Sequence, residues 1–485
     1  MRALVIAPQP FFSCRGTPLS VYYRTLIMAE LGVQIDLLTY GEGEDVDIPG
    51  VNIIRIPRFK RLGSVKVGPS VLKLFLDVFM VFWTVGLLCR RRYHFVHAHE
   101  EAVFFCWLLK PLFRFQLVYD MHSSLPEQLS NFNFTQSKWL IGLFAWLEQR
   151  CLQAAEVTIT ICPSLDNYAQ RLANPNSLVM LIENSIFEDV RFANAFAESR
   201  SVRLARQTER NFLQKHFNQH QEMPKRSLVY PLELGDRLVK EQVAERQIAK
   251  RQIAKKQIAE KQLVVYAGTL ETYQGIDILV RGFSQAALEN RSLFLLVVGG
   301  TPAQIKQYLR LVEQCGVRDR VQFTGRVSPS MAKYYVSLAA VQVSPRISGT
   351  NTPLKIYEQI AQSIPLVATN IYSHTQVIDD TVAFLVEPTP AGMAGGILEA
   401  TRSPNAPATN KVKNARRLYE QRYSRRIYKD KMRVVLEQLG AIPSQLETLT
   451  DRANPARLVG ATAVLKSSLG PDLKSSLGLK QGIED

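Results

Sequence analysis

The sequence predicts an α/β chain made of two doubly wound parallel-sheet domains, and three observations carry that expectation. Short β-branched runs alternate with helical stretches through the first 185 residues; the same alternation starts again at residue 263; and the stretch between is polar and basic. The first set of runs is ALVIAP, VQIDLLTY, VNIIRIP, FVHAH, QLVYDMH, VTITICPS and LVMLIEN. The second is LVVYAG, LFLLVVGG, VQFTG, AAVQVSP, PLVATN and VAFLVEP. Near-continuous apolar runs of this length, separated by helical segments, mark strands buried on both faces of a parallel sheet. The predicted domains are residues 1–185 and 263–405, joined by a linker with a helical insertion over 186–262 and followed by a crossover helix over 406–440 and a tail over 441–485.

Bulk properties bound the remaining possibilities. The chain has 485 residues, 46% hydrophobic and 21% charged, an ordinary globular balance that excludes disordered and collagen-like classes. Lys and Arg (59) outnumber Asp and Glu (43), for a net charge of +16, so anionic surfaces should attract it. The six cysteines, Cys14, Cys89, Cys106, Cys151, Cys162 and Cys315, form no CxxC pair and no metal-ligand spacing, which suits a reducing cytoplasm. The N-terminus MRALVIAPQP reads as a first buried strand rather than a secretory signal.

Within the insertion, AERQIAKRQIAKKQIAEKQ repeats every five residues, so Val243, Ile248, Ile253 and Ile258 spiral around a helix without forming a heptad seam. It reads as a solvated helix rather than a nucleic-acid arm, and no nucleic-acid partner is expected. The tail carries LKSSLG twice and is given no role. Residues 67–89 are apolar on nearly every face and run into Arg90, Arg91 and Arg92. Lys73 and Asp77 interrupt the run, so a spanning helix is not expected. A helix packed on the first sheet and a monotopic segment at a bilayer surface both remain open.

In doubly wound sheets ligands lie beyond the carboxyl ends of the strands. The strongest signal there is SPRISGTNTPLKIYEQIAQSIPLVAT, residues 344–369. Pro353 suits the first helical position, so Gly349, Thr350, Asn351 and Thr352 would present amides at a helix N-terminus, where a diphosphate is stabilised. Lys355 and Glu358 lie three residues apart on one helical face, and a carboxylate at 358 can accept hydrogen bonds from two ribose hydroxyls. A second turn, FFSCRGTPLS, offers Arg15, Gly16 and Thr17, with Pro18 at a helix start. FVHAHEEAV and LVYDMHSSLPEQ place His97, His99, Glu100, Asp120 and His122 at strand ends. The HAH pair is read as pointing its two side chains to opposite strand faces; with no third ligand at a recognised spacing, no metal site is expected.

The run SPR…GTNTPLKIYE, with PLVAT and SHTQVIDD after it, resembles the donor-binding region of glycosyltransferase family 4, the group 1 retaining enzymes. The likeness covers most of residues 1–190 and 263–440. It implies the GT-B architecture, two Rossmann-like domains facing each other across a cleft, and transfer of a sugar from a UDP- or GDP-sugar to an acceptor hydroxyl without a cofactor or metal. It implies that Glu358 binds the ribose, that Arg346 and Lys355 contact the diphosphate, and that residues 349–352, Gly268, Thr269, Arg15, Gly16 and Thr17 face the donor. By the same likeness His122 lies at the reaction centre, with His99 and Glu100 on the acceptor side. Many members carry a further glutamate where this chain has Thr350, and Arg and Lys where it has Thr269 and Gln274. The implied acceptor is a saccharide or lipid-linked saccharide of cell-envelope synthesis. The implied location is cytoplasmic, with peripheral membrane contact through 67–89. A non-catalytic scaffold of the same fold, or another nucleotide-sugar enzyme such as an epimerase, is the alternative.

Overall fold

The computed structural model describes residues 1–13, 16–58, 65, 71–124, 138–184, 262–327, 329–402 and 407–443. The five-residue repeat as far as residue 261, the tail beyond residue 443, and Arg15 lie outside the described residues. Two compact units emerge, one drawing on Met1–Ala193, Thr350–Tyr357 and Tyr419–Asp485, the other on Asn194–Gly349 and Glu358–Leu418.

The first unit is a parallel sheet of seven strands: β1 (Arg2–Ala7), β2 (Gln34–Thr39), β3 (Val51–Arg55), β4 (Phe95–His99), β5 (Gln116–Met121), β6 (Val157–Thr160) and β7 (Leu178–Leu181). Their order is β3-β2-β1-β4-β5-β6-β7, so the chain reverses direction across the sheet between β1 and β4. Every strand run named from the sequence becomes a strand. On one face lie α1 (Gly16–Glu30) and a C-terminal helix; on the other lie α2 (Val71–Arg90), α3 (Ala102–Phe113), α4 (Lys138–Ala154) and α5 (Pro163–Leu172). Residues such as Val5 and Leu37 face the α1 side, while Leu4, Leu38 and Val96 face the α2 side. This alternation is the period of two that a two-sided sheet requires.

α2 packs on the first sheet through Leu76, Met80, Thr84 and Leu88, a buried stripe at intervals of four. Its two charges also face the protein. Lys73 pairs with Glu101 at 2.6 Å, and the Tyr40 hydroxyl donates to Asp77 at 2.5 Å. Burial pushes Asp77 up to about 7, helped by the charge of Glu101 and opposed by the Tyr40 hydrogen bond and Lys73.

The second unit is a parallel sheet of six strands: β8 (Gln262–Ala267), β9 (Leu293–Val298), β10 (Val321–Gly325), β11 (Val341–Ser344), β12 (Leu366–Thr369) and β13 (Phe384–Val386), in the order β10-β9-β8-β11-β12-β13. Between them run α6 (Ile276–Glu289), α7 (Pro302–Gln314), α8 (Pro329–Ser337), α9 (Leu354–Ala361), α10 (Tyr372–Thr375) and α11 (Pro390–Thr401). α7 opens with a capping box in which the Thr301 side chain and Gln304 satisfy each other's backbone N–H, two of the donors a helix start otherwise leaves unmet.

The single crossover helix expected over 406–440 is in fact two helices. α12 (Pro407–Leu418) stays with the second unit; after a π-helical turn at Tyr419–Tyr423, α13 (Arg425–Gln438) belongs to the first. Tyr428, Met432, Val435 and Leu436 repeat with helical spacing and are buried in the core formed by α1 and the first sheet. Pairs of Arg425 and Lys429 with Glu30 edge the contact, and Lys431 reaches Glu183 at 2.8 Å. The solvent-facing pairs with Glu30 contribute little, so the apolar seam dominates over them. Met432→Ala should therefore lower the unfolding free energy of the first unit by about 2–5 kcal/mol, read as a shift of its urea midpoint. An unchanged midpoint would mean that α13 is not part of that core.

Candidate functional site

In the first unit the carboxyl ends of β4 and β5 lie side by side, with His97 opposite Val118 and His99 opposite Asp120. His97 and His99 are two residues apart and therefore share one face of β4, contrary to the opposite faces read from the sequence. Their rings stack with centroids 4.7 Å apart. Together with Asp120 and His122 they make a buried cluster. His97 Nε2 lies 2.8 Å from Asp120 Oδ2, and His99 Nδ1 lies 3.3 Å from the same oxygen. His122 Nε2 is 3.3 Å from Asp120 Oδ1 and 3.2 Å from His99 Nδ1. From α1, Arg24 Nε reaches Asp120 Oδ2 at 2.9 Å, its guanidinium lying 5.8 Å from the Tyr428 ring.

Burial alone would raise the Asp120 carboxyl, but Arg24, followed by His99 and His122, holds it well below the usual carboxylate range. Burial pushes His97 down and His99 well down, outweighing Asp120, so both rings are neutral near pH 7. A neutral His97 donates from Nε2 to the carboxylate. The cluster is thus built on one fixed charge pair, Arg24 with Asp120, against which the neutral rings of His97 and His99 pack.

Among the described residues, His97, His99 and Asp120 form a group with metal-ligand spacing. Their chemistry fits a cation poorly, because Arg24 already occupies the oxygen that faces both imidazoles, and a dication there would sit beside a buried guanidinium. Sequence reading missed Arg24; a lone arginine in the apolar helix run VYYRTLIMAE was the available signal. Glu100 follows β4 with φ 49°, a left-handed conformation uncommon outside glycine, and its N–H donates to the Asp120 carbonyl at 3.1 Å. The structure places His99 in the buried layer and leaves Glu100 half-buried at its edge.

At the other candidate turn, α1 starts at Gly16, so Pro18 is the third helical residue rather than the first; Gly16 is exposed and Thr17 half-buried. Residues 350–357 group with this unit by their contacts. Asn351 Nδ2 donates to the His122 carbonyl oxygen at 3.0 Å, and the Cys162 thiol lies 3.5 Å from Asn351 Oδ1. Thr350 is exposed, whereas Thr352 and Lys355 are half-buried. Pro353, expected at the first helical position, is the residue just before α9.

In the second unit, the ends of β8 and β11 and the turn after β8 converge. The Tyr266 hydroxyl donates to the Thr269 carbonyl at 2.6 Å, fixing the turn that carries Gly268 and Thr269. Ile347 N–H donates to the Tyr273 carbonyl at 2.9 Å, tying the 271–275 turn to the 344–349 loop. Gly275 has φ 68°, and a Cβ there would run into the Pro345 carbonyl oxygen, so this approach needs glycine. Arg346 donates from Nε to the Ser348 carbonyl at 2.6 Å and lies 5.3 Å from the Tyr273 ring. Gly349 has φ 122° and is exposed beside the Arg346 guanidinium. Beneath them His374, which sequence reading did not select, bonds Ser344 Oγ at 3.0 Å and the Thr369 carbonyl at 2.8 Å.

Glu358, half-buried on α9, has a carboxyl that burial pushes up to about 7. The charge that partly offsets this is Lys333 of α8. A desolvated carboxylate retains capacity to accept hydrogen bonds from neutral hydroxyls.

The buried pair makes a direct stability prediction. Asp120→Ala strands Arg24 and should cost about 3–5 kcal/mol, whereas Arg24→Leu with Asp120→Leu should recover much of the loss. Urea titration of the single and double variants checks this; equal losses in both would mean the pair is not the unit of stability.

Comparison with known proteins adds a family. The model described as Glycosyl transferase 4-like domain matches residues 26–185, and that described as Glycosyl transferases group 1 matches residues 248–419; together they cover more than half of the chain. A search of curated proteins finds no match. Among solved structures, sucrose-phosphate synthase from Thermosynechococcus elongatus aligns with a TM-score of 0.62 at 19% identity, over 91% of this chain and 99% of that one. HepE of Anabaena in complex with UDP-glucose aligns at 0.57 and 14% identity, over 90% and 99%. The α,α-trehalose-phosphate synthase from Burkholderia xenovorans, in complex with glucose-6-phosphate, aligns at 0.56 and 12%, over 91% and 100%. At these identities the likeness establishes the fold, and the two family matches supply the rest: the chain is a glycosyltransferase of GT-B fold and belongs to the group 1 glycosyltransferases.

Proposed function

We propose that the chain transfers a sugar from a UDP- or GDP-sugar to a saccharide or lipid-linked saccharide hydroxyl, with retention at the anomeric carbon and without a metal or cofactor. The observation that carries the donor assignment is Glu358: a desolvated carboxyl at about 7, on the helix that follows a glycine-bearing loop at a strand's carboxyl end. That chemistry suits paired ribose hydroxyls. Arg346, exposed Gly349 and the Gly268–Thr269 turn then face the diphosphate. Lys355 and residues 350–352 are further candidate donor contacts, and Arg15, Gly16 and Thr17 are candidates on the first unit. HepE, of the same fold, was solved with UDP-glucose, which is in keeping with this class of donor.

In the proposed reaction the bond from the anomeric carbon to the diphosphate oxygen breaks while the acceptor oxygen bonds to the same face of that carbon. The acceptor proton passes to the departing phosphate oxygen. Negative charge grows on the diphosphate, so cations and backbone dipoles aimed at it should supply much of the catalysis. Retention without a covalent intermediate is supported by the setting of Asp120, whose Oδ1 lies 3.3 Å from His122 Nε2. Arg24 and His97 already hold it, which leaves it poorly placed to act as a nucleophile. His122, braced by Asp120 and His99, would orient the reacting groups, with Glu100 on the acceptor side. We place the enzyme in the cytoplasm at the membrane face, in envelope polysaccharide or glycolipid synthesis, on the strength of its basic charge and the apolar α2.

Two outcomes test this. Slow release of UDP or GDP from the matching donor is expected, and Glu358→Ala should lower kcat/KM by about two orders of magnitude, given about 1.5–3 kcal/mol for each charge-assisted hydrogen bond. Donor turnover unaffected by this change, or none with any donor, would contradict the assignment. The ionised carboxylate is the form that accepts both ribose hydroxyls, and burial keeps it protonated below about 7. Nucleotide affinity should therefore fall as pH drops through that value and level off above it. Glu358→Gln should flatten the profile, as read by calorimetry.

A further inference from the structure

We infer that α2, α3 and α4 together form a docking face for an anionic lipid bilayer, with the helices lying in the plane of the membrane surface. This deepens the proposed membrane location, which the sequence tied to residues 67–89 alone, and it is independent of the donor site.

The three helices lie side by side on one face of the first sheet, and their inner residues share one core. α2 has 20 residues, about 30 Å at 1.5 Å per residue, enough to cross a bilayer. Its apolar window has a mean hydropathy of 1.9, yet only 22% of it is buried. Crossing is incompatible with the buried stripe from Leu76 to Leu88, which belongs to the core. The charges that argued against a spanning helix, Lys73 and Asp77, are turned to Glu101 and Tyr40. What α2 presents outward is Leu74, Phe75, Val78 and Phe82, the last 67% exposed.

The neighbouring helices continue this surface. α3 exposes Leu108 (62%) and Leu112 (74%), one turn apart. α4 exposes Trp139 (75%), Leu143 and Trp146, spaced four and three residues apart on one stripe. Trp107 and Trp146 join the two helices edge to face at 6.3 Å. A surface this apolar on three adjacent helices exceeds the scattered exposed residues normal for a soluble protein. Tryptophan and phenylalanine are the side chains suited to the interfacial region of a bilayer.

Charge selects the occupant. Each helix leads into the next parallel strand, so all three C-terminal ends lie at the amino edge of the sheet. Exposed Arg90 ends α2 and exposed Arg92 follows it, exposed Arg114 follows α3, and Arg150 ends the α4 stripe with its guanidinium 5.5 Å from the Trp146 ring. The nearby acids Asp36 and Glu156 are tied to Arg91 and Lys110 at 3.0 and 2.6 Å. An open groove of about 680 Å³ bordered by Leu108, Pro111 and Arg114 lies at the same edge. An apolar band rimmed by arginine on one side matches acyl chains and phosphate headgroups, and the net charge of +16 adds to the attraction.

The full chain should co-float with phosphatidylcholine vesicles containing phosphatidylglycerol at least about tenfold better than with phosphatidylcholine alone, and raised salt should weaken the binding. Val78→Ser with Phe82→Ser, and separately Trp139→Ser with Trp146→Ser, should each reduce partition by about tenfold or more. Thermal unfolding of the Val78→Ser with Phe82→Ser variant should be unchanged, since those side chains are exposed. No binding to anionic vesicles would overturn the proposal. So would loss in the α2 variant alone, because the face would then be a single helix. A dimer in sedimentation that both variants dissolve, without vesicle binding, would instead name a second copy as the occupant. Vesicle binding without donor turnover would sink the proposed function and leave this face standing; turnover without vesicle binding would do the reverse.

Discussion

A parallel sheet covered by helices on both faces has to bury every strand, and each connection has to return the chain to the same starting edge. That constraint fixes where chemistry can occur in both units. The strand interiors are filled by side chains such as Val5, Ile6, Val264 and Val297 that contribute only packing. Polar side chains gather where the strands end: Asp120 near the end of β5 and His122 just after it, His99 at the end of β4, Ser344 at the end of β11 and Arg346 beyond it. The helices' other ends, at the opposite edge, carry the arginines of the apolar face.

Groups taken out of water at these strand ends are stabilised in different ways. Asp120 remains ionised because Arg24 is buried with it, and burial keeps His97 and His99 neutral rather than letting them gather further charge. Such a pair is a weak source of net stability compared with an apolar replacement, so its worth lies in fixing orientation. Glu358 has the reverse balance: burial outweighs the opposing charge of Lys333, and its proton is held near neutrality. One site is rigid and pre-paired; the other is ready to accept hydrogen bonds from a ligand.

Strand positions were legible in the sequence because apolar runs bounded by Gly, Pro and Asp are local signals, and all thirteen named runs became strands. The loop after β11 was legible for the same reason, its glycine and proline being punctuation. Long-range pairing was not. Nothing local says that Arg24, 96 residues before Asp120, reaches it, or that Lys333 acts on Glu358. The HAH pair was misread through simple periodicity, since residues two apart in a strand share a face. Lys73 and Asp77 looked like interruptions of an apolar helix because a sequence does not show which of its charges turn inward. The crossover was read as one helix because the π-turn at Tyr419–Tyr423 carries no breaker residue.

The account rests on a nucleotide sugar being held by the second unit, and a crystal structure with UDP or GDP bound tests this most directly. The ribose hydroxyls should lie within hydrogen-bonding distance of the Glu358 carboxylate, with the diphosphate against Arg346 and the Gly349 backbone. A nucleotide bound elsewhere, or Glu358 closed off by protein side chains while nucleotide is present at saturating concentration, would contradict it.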